Sequence, residues 1–135
     1  MISRILKDTV DIIKGNDFSE VYTAFDGVDI ENKSKNLFVV VMAENLNAKD
    51  LSVVKNNIMY DFTSCIRIIC LCSKETDPCQ IYDFIQNKIV ARLLDSENKA
   101  IYKSFEILKP EIDYKIRKIK IETKFYLCGN YAVSQ

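Results

Sequence analysis

Five cysteines are the first residues of this 135-residue chain that could carry a specific chemistry. Cys70-x-Cys72, with Cys65 before it and Cys79 after it, could offer thiolates to a soft metal. The spacing is not that of a paired Cys-x-x-Cys knuckle, however, and Cys70 and Cys72 continue the alternation of Ile66 and Ile68. Packing in an apolar core accounts for them, as it does for most free cysteines. Their odd number, with Cys128 as the fifth, and a first stretch Met-Ile-Ser-Arg-Ile-Leu-Lys-Asp without a secretory apolar run predict reduced thiols and no bound metal. Histidine is absent, which removes Ser-His and Cys-His nucleophiles and the commonest transition-metal ligand. Carboxylate, lysine or cysteine chemistry stays open, but the acidic residues show no spacing that pairs two carboxylates for acid-base work. Gly15, Gly27 and Gly129 stand too far apart to build a phosphate-cradling loop. No catalytic, cofactor-binding or metal-ligating residue is assigned, and no cofactor is expected.

The remaining chemically suggestive stretch is basic: Lys115, Arg117, Lys118, Lys120 and Lys124. Such a run can meet phosphates, line a solvated strand face, or contact a neighbouring subunit. Lysine plus arginine equals aspartate plus glutamate, 19 against 19, so no global field draws nucleic acid or anionic lipid. The distribution is uneven. Met1 to Asn98 carries 11 basic and 15 acidic residues, and Lys99 to Gln135 carries 8 and 4, giving net charges of −4 and +4. A solvated strand face is the commoner reading of such a run, but two oppositely charged regions on one chain also suit contact between copies, so Lys115, Arg117, Lys118 and Lys120 are the candidate subunit-interface residues, with nucleic acid as the weakest reading.

The elements that must position these residues follow from periodicity. Ile2, Ile5, Leu6, Val10 and Ile13 form a helical stripe that Gly15 closes. Glu20 to Phe25 reads as a short strand ended by a turn at Asp26-Gly27, and Asp29 to Asn36 as a loop. Leu37 to Ala43 is a continuous apolar run expected as a central strand. Glu44 to Asn57, rich in Asn and Asp, reads as a turn-rich connection in which Leu51, Val53 and Val54 extend one arm of a long hairpin. From Ile58 to Cys72 the residues Ile58, Tyr60, Phe62, Ile66, Ile68, Cys70 and Cys72 share one face of a long strand. Asp77, Pro78 and Gln80 then write a helix start, and Ile81, Tyr82, Ile85, Ile89 and Leu93 continue it to about Leu94. Ile101 to Leu108 and Glu111 to Leu127 are again strand-like, with inward parity changing across Arg117-Lys118, where a bulge or turn is expected.

These readings give a single α+β domain over 1–135, with a mainly antiparallel or mixed sheet of four to five strands packed with two helices in the order α-β-β-β-α-β-β. At this size one core suffices. No run reaches the roughly 18 apolar residues of a membrane span, so no membrane partner is expected.

The helix Ile2 to Lys14, the strand and turn Val21 to Gly27, the apolar strand Leu37 to Ala43, the long strand Ile58 to Cys72, the helix start Ser73 to Pro78 and a closing strand ending near Cys128 together resemble a known family. The chain is similar to the tail terminator, or tail completion, proteins of long-tailed bacteriophages and phage-tail-like bacteriocins. That resemblance covers most of the chain as architecture, without a diagnostic motif. It implies a non-enzymatic assembly protein: a homo-oligomer forming a hexameric ring that caps the tail tube, with tube and possibly sheath proteins as partners. It also implies assembly in the bacterial cytoplasm, followed by residence in the virion or phage-tail-like particle. A small ligand-binding or regulatory α+β domain, or an enzyme using cysteine or carboxylates, are the alternatives from other classes.

Overall fold

The computed structural model describes residues 2–23, 37–95, 101–114 and 117–134. An amphipathic helix α1 (Ile2–Lys14) comes first. Gly15 ends it in the left-handed conformation, φ +51°, donating its N–H to the Asp11 carbonyl at 3.0 Å. Glycine suits that position because it carries no Cβ to clash. Strand β1 (Val21–Thr23) follows, and then two 17-residue strands, β2 (Phe38–Val54) and β3 (Asn57–Ser73), form a long hairpin. Its two-residue loop, Lys55-Asn56, has φ +48° and +67°, the paired positive dihedrals of a turn whose twist matches the strands it joins.

The second helical element begins at α2 (Pro78–Phe84), passes through a π-helical stretch Ile85–Val90, and ends as α3 (Ala91–Leu93). Asp77 caps it by accepting from the Cys79 N–H at 3.0 Å, with Pro78 at a position that needs no donor. The wider π turn brings Ile85, Ile89, Val90 and Leu93 all to the buried side. Strands β4 (Tyr102–Ile107), β5 (Glu111–Asp113) and β6 (Lys118–Ser134) close the fold.

The sheet is mixed, six-stranded and mostly antiparallel, ordered β1-β2-β3-β6-β4, with β5 also on β6; β1 lies parallel to β2. β4 and β5 are two pieces of one edge, broken at Leu108 to Pro110, because β4 pairs with Thr123 to Leu127 and β5 with Lys118 to Lys120. Both helical elements cover the same face. There Ile5, Leu6, Val10 and Ile13 meet Val39, Val41, Ile66, Ile68, Cys70, Ile81, Ile85, Ile89, Leu93, Ile121 and Phe125 in one cluster. Thr9, fully buried, bonds both the Ile5 carbonyl and the Tyr102 hydroxyl at 2.7 Å, tying α1 to the β4 edge. Opposite, Phe38, Val40 and Leu71 make a small second cluster with Tyr22 and Ile69 against it.

The sequence expectation fails in one region. The Asn-rich stretch after Glu44 is strand rather than turn-rich connection, and β2 runs unbroken to Val54. Two bulges absorb its irregularity, one between Ala43 and Asn45 and one between Lys49 and Ser52, where Asp50 takes φ +56°. The Asn45 side chain accepts from the Cys65 N–H at 3.1 Å, serving a donor beside the bulge; a turn-forming residue type is thus used within a ladder. β6 likewise runs past Cys128 to Ser134. The expected turn near Arg117-Lys118 is present, with Arg117 at φ +55° between β5 and β6. The expected turn at Asp26-Gly27 and loop Asp29 to Asn36 lie outside the described residues.

Candidate assembly surface

Because β3 pairs with β2 on one side and β6 on the other along its whole length, the three strands continue past the helical layer as an arm. At about 3.4 Å per residue, β3 alone spans on the order of 55 Å. The arm ends in apolar side chains held in water: Leu51 is 67% exposed, Val53 65%, Val54 49% and Met59 44%. Register puts Val53, opposite Ile58, on one side of the tip, and Val54 and Met59 on the other. Tyr60 and Tyr131, neighbours across β3 and β6 with ring centroids 5.9 Å apart, continue the helix-side face along the arm.

Where the arm leaves the body, Arg4, Ile5, Asp8, Phe62, Ile101, Gly129, Asn130 and Tyr131 line a cleft of about 370 Å³. Gly129 helps to form it: it faces Phe62 across the ladder and has no side chain to fill the floor. Other clefts open on the sheet, one of them, about 240 Å³, over the charged face described next.

On the face away from the helices, period two aligns Lys118, Lys120, Glu122 and Lys124 of β6 beside Arg67 of β3. Arg67 grips Glu122 with two donors, Nε at 3.1 Å and one terminal nitrogen. Glu122 is only 8% exposed. Lys120 lies 3.6 Å from Glu122 and 3.7 Å from Glu111, and Lys124 3.6 Å from Glu44. Glu44 in turn sits by the Cys65 thiol; burial first, then this carboxylate, pushes the thiol up to about 11, so it stays protonated at neutral pH.

The candidate interface residues therefore have different fates. Arg117 is exposed in its turn. Lys118 is 5% exposed, with its ammonium 5.6 Å from the centre of the Phe38 ring. Lys120 belongs to the carboxylate network. Lys115 lies outside the described residues. Alternation marks the three β6 lysines and Glu122 as one face, but only the fold reveals the acids of β2 and β5 beside them. The hairpin arm expected from Leu51, Val53 and Val54 is present; the cleft at its root escaped sequence reasoning.

The cysteines are all free. Cys70 and Cys72 are buried in the main core, where desolvation raises their thiols, Cys65 is buried, and Cys79 is exposed at the start of α2. Among the described residues no cluster of three or more His, Cys, Asp or Glu could hold a metal, and no helix is long and apolar enough to cross a membrane.

No protein-family model matches the chain, and no curated protein matches it. Among solved structures it is similar to the PVC sheath/tube terminator of an extracellular contractile injection system, seen by cryo-EM in the extended state. The TM-score is 0.52 and the sequence identity 7%, over 100% of this chain and 58% of that one. The chain thus spans a little over half the length of that terminator, and what the two share is the fold.

Proposed function

We propose that this chain is a structural assembly subunit of a tail-like particle, a terminator that forms a ring on the end of a tail tube. The observation that carries the reading is the likeness to a sheath/tube terminator, which extends over the full length of this chain. The arm supports it: an exposed apolar tip is unexplained in a solitary domain and ordinary in a subunit that buries it on assembly. The role is one of docking rather than catalysis. The ring is hexameric, its partners are the tube and the sheath, and it is built in the bacterial cytoplasm before residing in the finished particle.

Closure of a ring requires two different patches of the same chain to meet. The basic region around Lys115, Arg117, Lys118 and Lys120 supplies one, with Arg117 the exposed charge and Lys120 exchanging partners with a neighbour's carboxylate. Charge sets register and encounter rate more than affinity. The test is electron microscopy of the protein mixed with isolated tail tubes. Particles capping tube ends are expected, and bare ends at saturating protein would reject the terminator role.

A further inference from the structure

The exposed arm tip and the cleft at the arm's root are complementary but cannot meet within one chain. Val53 faces Ile58, and Phe62 on the cleft floor lies further along the same strand. A continuous ladder fixes those two β3 residues about 14 Å apart. The tip is apolar on both sides, so lying flat on a surface would cover one side of it, whereas side chains entering a cleft of about 370 Å³ bring part of both sides out of water. We propose that the β2–β3 tip of one copy seats in the cleft between α1 and the arm root of a second copy. This deepens the ring reading above and rests on it.

The chemistry of the two patches fits. Leu51, Val53, Val54 and Met59, 44–67% exposed, together present on the order of 400 Å² of surface, the size of the largest apolar patch on an ordinary monomer, which is often functional. The cleft offers Ile5, Phe62, Ile101 and Tyr131 as an apolar lining, with Arg4 and Asp8 among its charged groups. Lys49, Asp50 and Lys55 flank the tip. Both patches thus bring one or more charges of each sign, so Asp50 has Arg4 and the lysines have Asp8 as opposite charges across the proposed contact. Tip and lining together supply the apolar centre of a standard interface of roughly 800 Å² per partner. The tight turn and two bulges hold the tip in shape beforehand, so little ordering opposes docking. Because tip and cleft are different patches, each copy can receive one neighbour and enter another, the arrangement that closes a ring.

Site-specific cross-linking tests the contact. In a Cys79→Ser, Cys128→Ser background, which removes the exposed thiol and the one paired across the ladder from Ile101, a Val53→Cys variant and an Ile101→Cys variant are oxidised with diamide, separately and mixed, and the linked dimer is quantified. The mixture is expected to give on the order of tenfold more dimer than either variant alone, because docking raises the local thiol concentration. Light scattering on the unmodified chain accompanies it. If that chain assembles and the mixture shows no excess dimer, the tip-in-cleft contact is wrong while the ring reading stands. If it stays monomeric at every concentration, the ring reading fails.

Discussion

The ring of Phe62 lies across the bare backbone of Gly129 on the adjacent strand, so close that a Cβ at position 129 would stand 3.2 Å from the ring. This cross-strand pair shapes the cleft, and the ring itself is 4% exposed. A Gly129→Val substitution must push Phe62 off its seat. We expect it to destabilise the chain by about 1–3 kcal/mol, the usual range for overpacking, and to reduce assembly as well. Urea denaturation followed by circular dichroism measures the first effect; an unchanged midpoint would show that the ring moves freely.

At the other end of α1, Gly15 sits beneath Arg92, whose guanidinium donates to the Ile13 carbonyl at 2.7 Å. An added Cβ would stand 2.7 Å from that nitrogen, in a backbone conformation with φ +51°. Gly15→Ala should therefore cost about 1–2 kcal/mol, from backbone strain together with displacement of Arg92. Thermal or urea melts of the two proteins provide the comparison, and equal stability would contradict the packing described.

Asp17 joins the same corner to the second helical element. It accepts from Lys88 at 2.7 Å and from Arg92 at 2.7 and 2.8 Å. Lys88 first and Arg92 next lower its pKa from 3.8 to about 2. A carboxylate held lower in the folded than in the unfolded chain stabilises the fold above its unfolded pKa, and that help disappears as pH falls through the folded one. Asp17→Asn should thus be less stable than the parent at pH 7, with the gap narrowing between about pH 4 and pH 2. Parallel denaturation series across that range decide it, and a gap independent of pH would sink the assignment.

Thr123 is fully buried, paired across the sheet with Ile68 and Ile107, and its hydroxyl oxygen has no hydrogen-bond partner among the described residues. Replacing an unsatisfied buried hydroxyl by a methyl of similar shape removes a desolvation cost of about 1–3 kcal/mol. Thr123→Val is expected to be neutral to stabilising in a denaturation curve. A loss of more than about 1 kcal/mol would mean that the hydroxyl is engaged after all.

Much of this architecture could be read from residue order because local and global signals agree. The stripe Ile2 to Ile13 ends at Gly15 in both sequence and structure, and Asp77-Pro78 opens a helix in both. Ile66, Ile68, Ile85 and Ile89, placed inside by periodicity alone, are at most 1% exposed. The hairpin was legible in Leu51, Val53 and Val54, but the strand leading to it was not, because its Asn and Asp residues, which favour turns in isolation, are carried within a ladder by bulges and by pairing to β3. The basic β6 face was visible as charge. Its neutralisation depends on Glu44, from a strand eighty residues away from Lys124, and on Glu111, which the turn before β6 folds back beside Lys120, and no periodicity reports either contact.

Light scattering over a range of protein and salt concentrations tests the central claim, assembly into a ring, most directly. A defined oligomer of the mass of a closed ring is expected, weakened by Arg117→Glu with the fold retained by circular dichroism. A monomer under every condition, indifferent to that substitution, would contradict it.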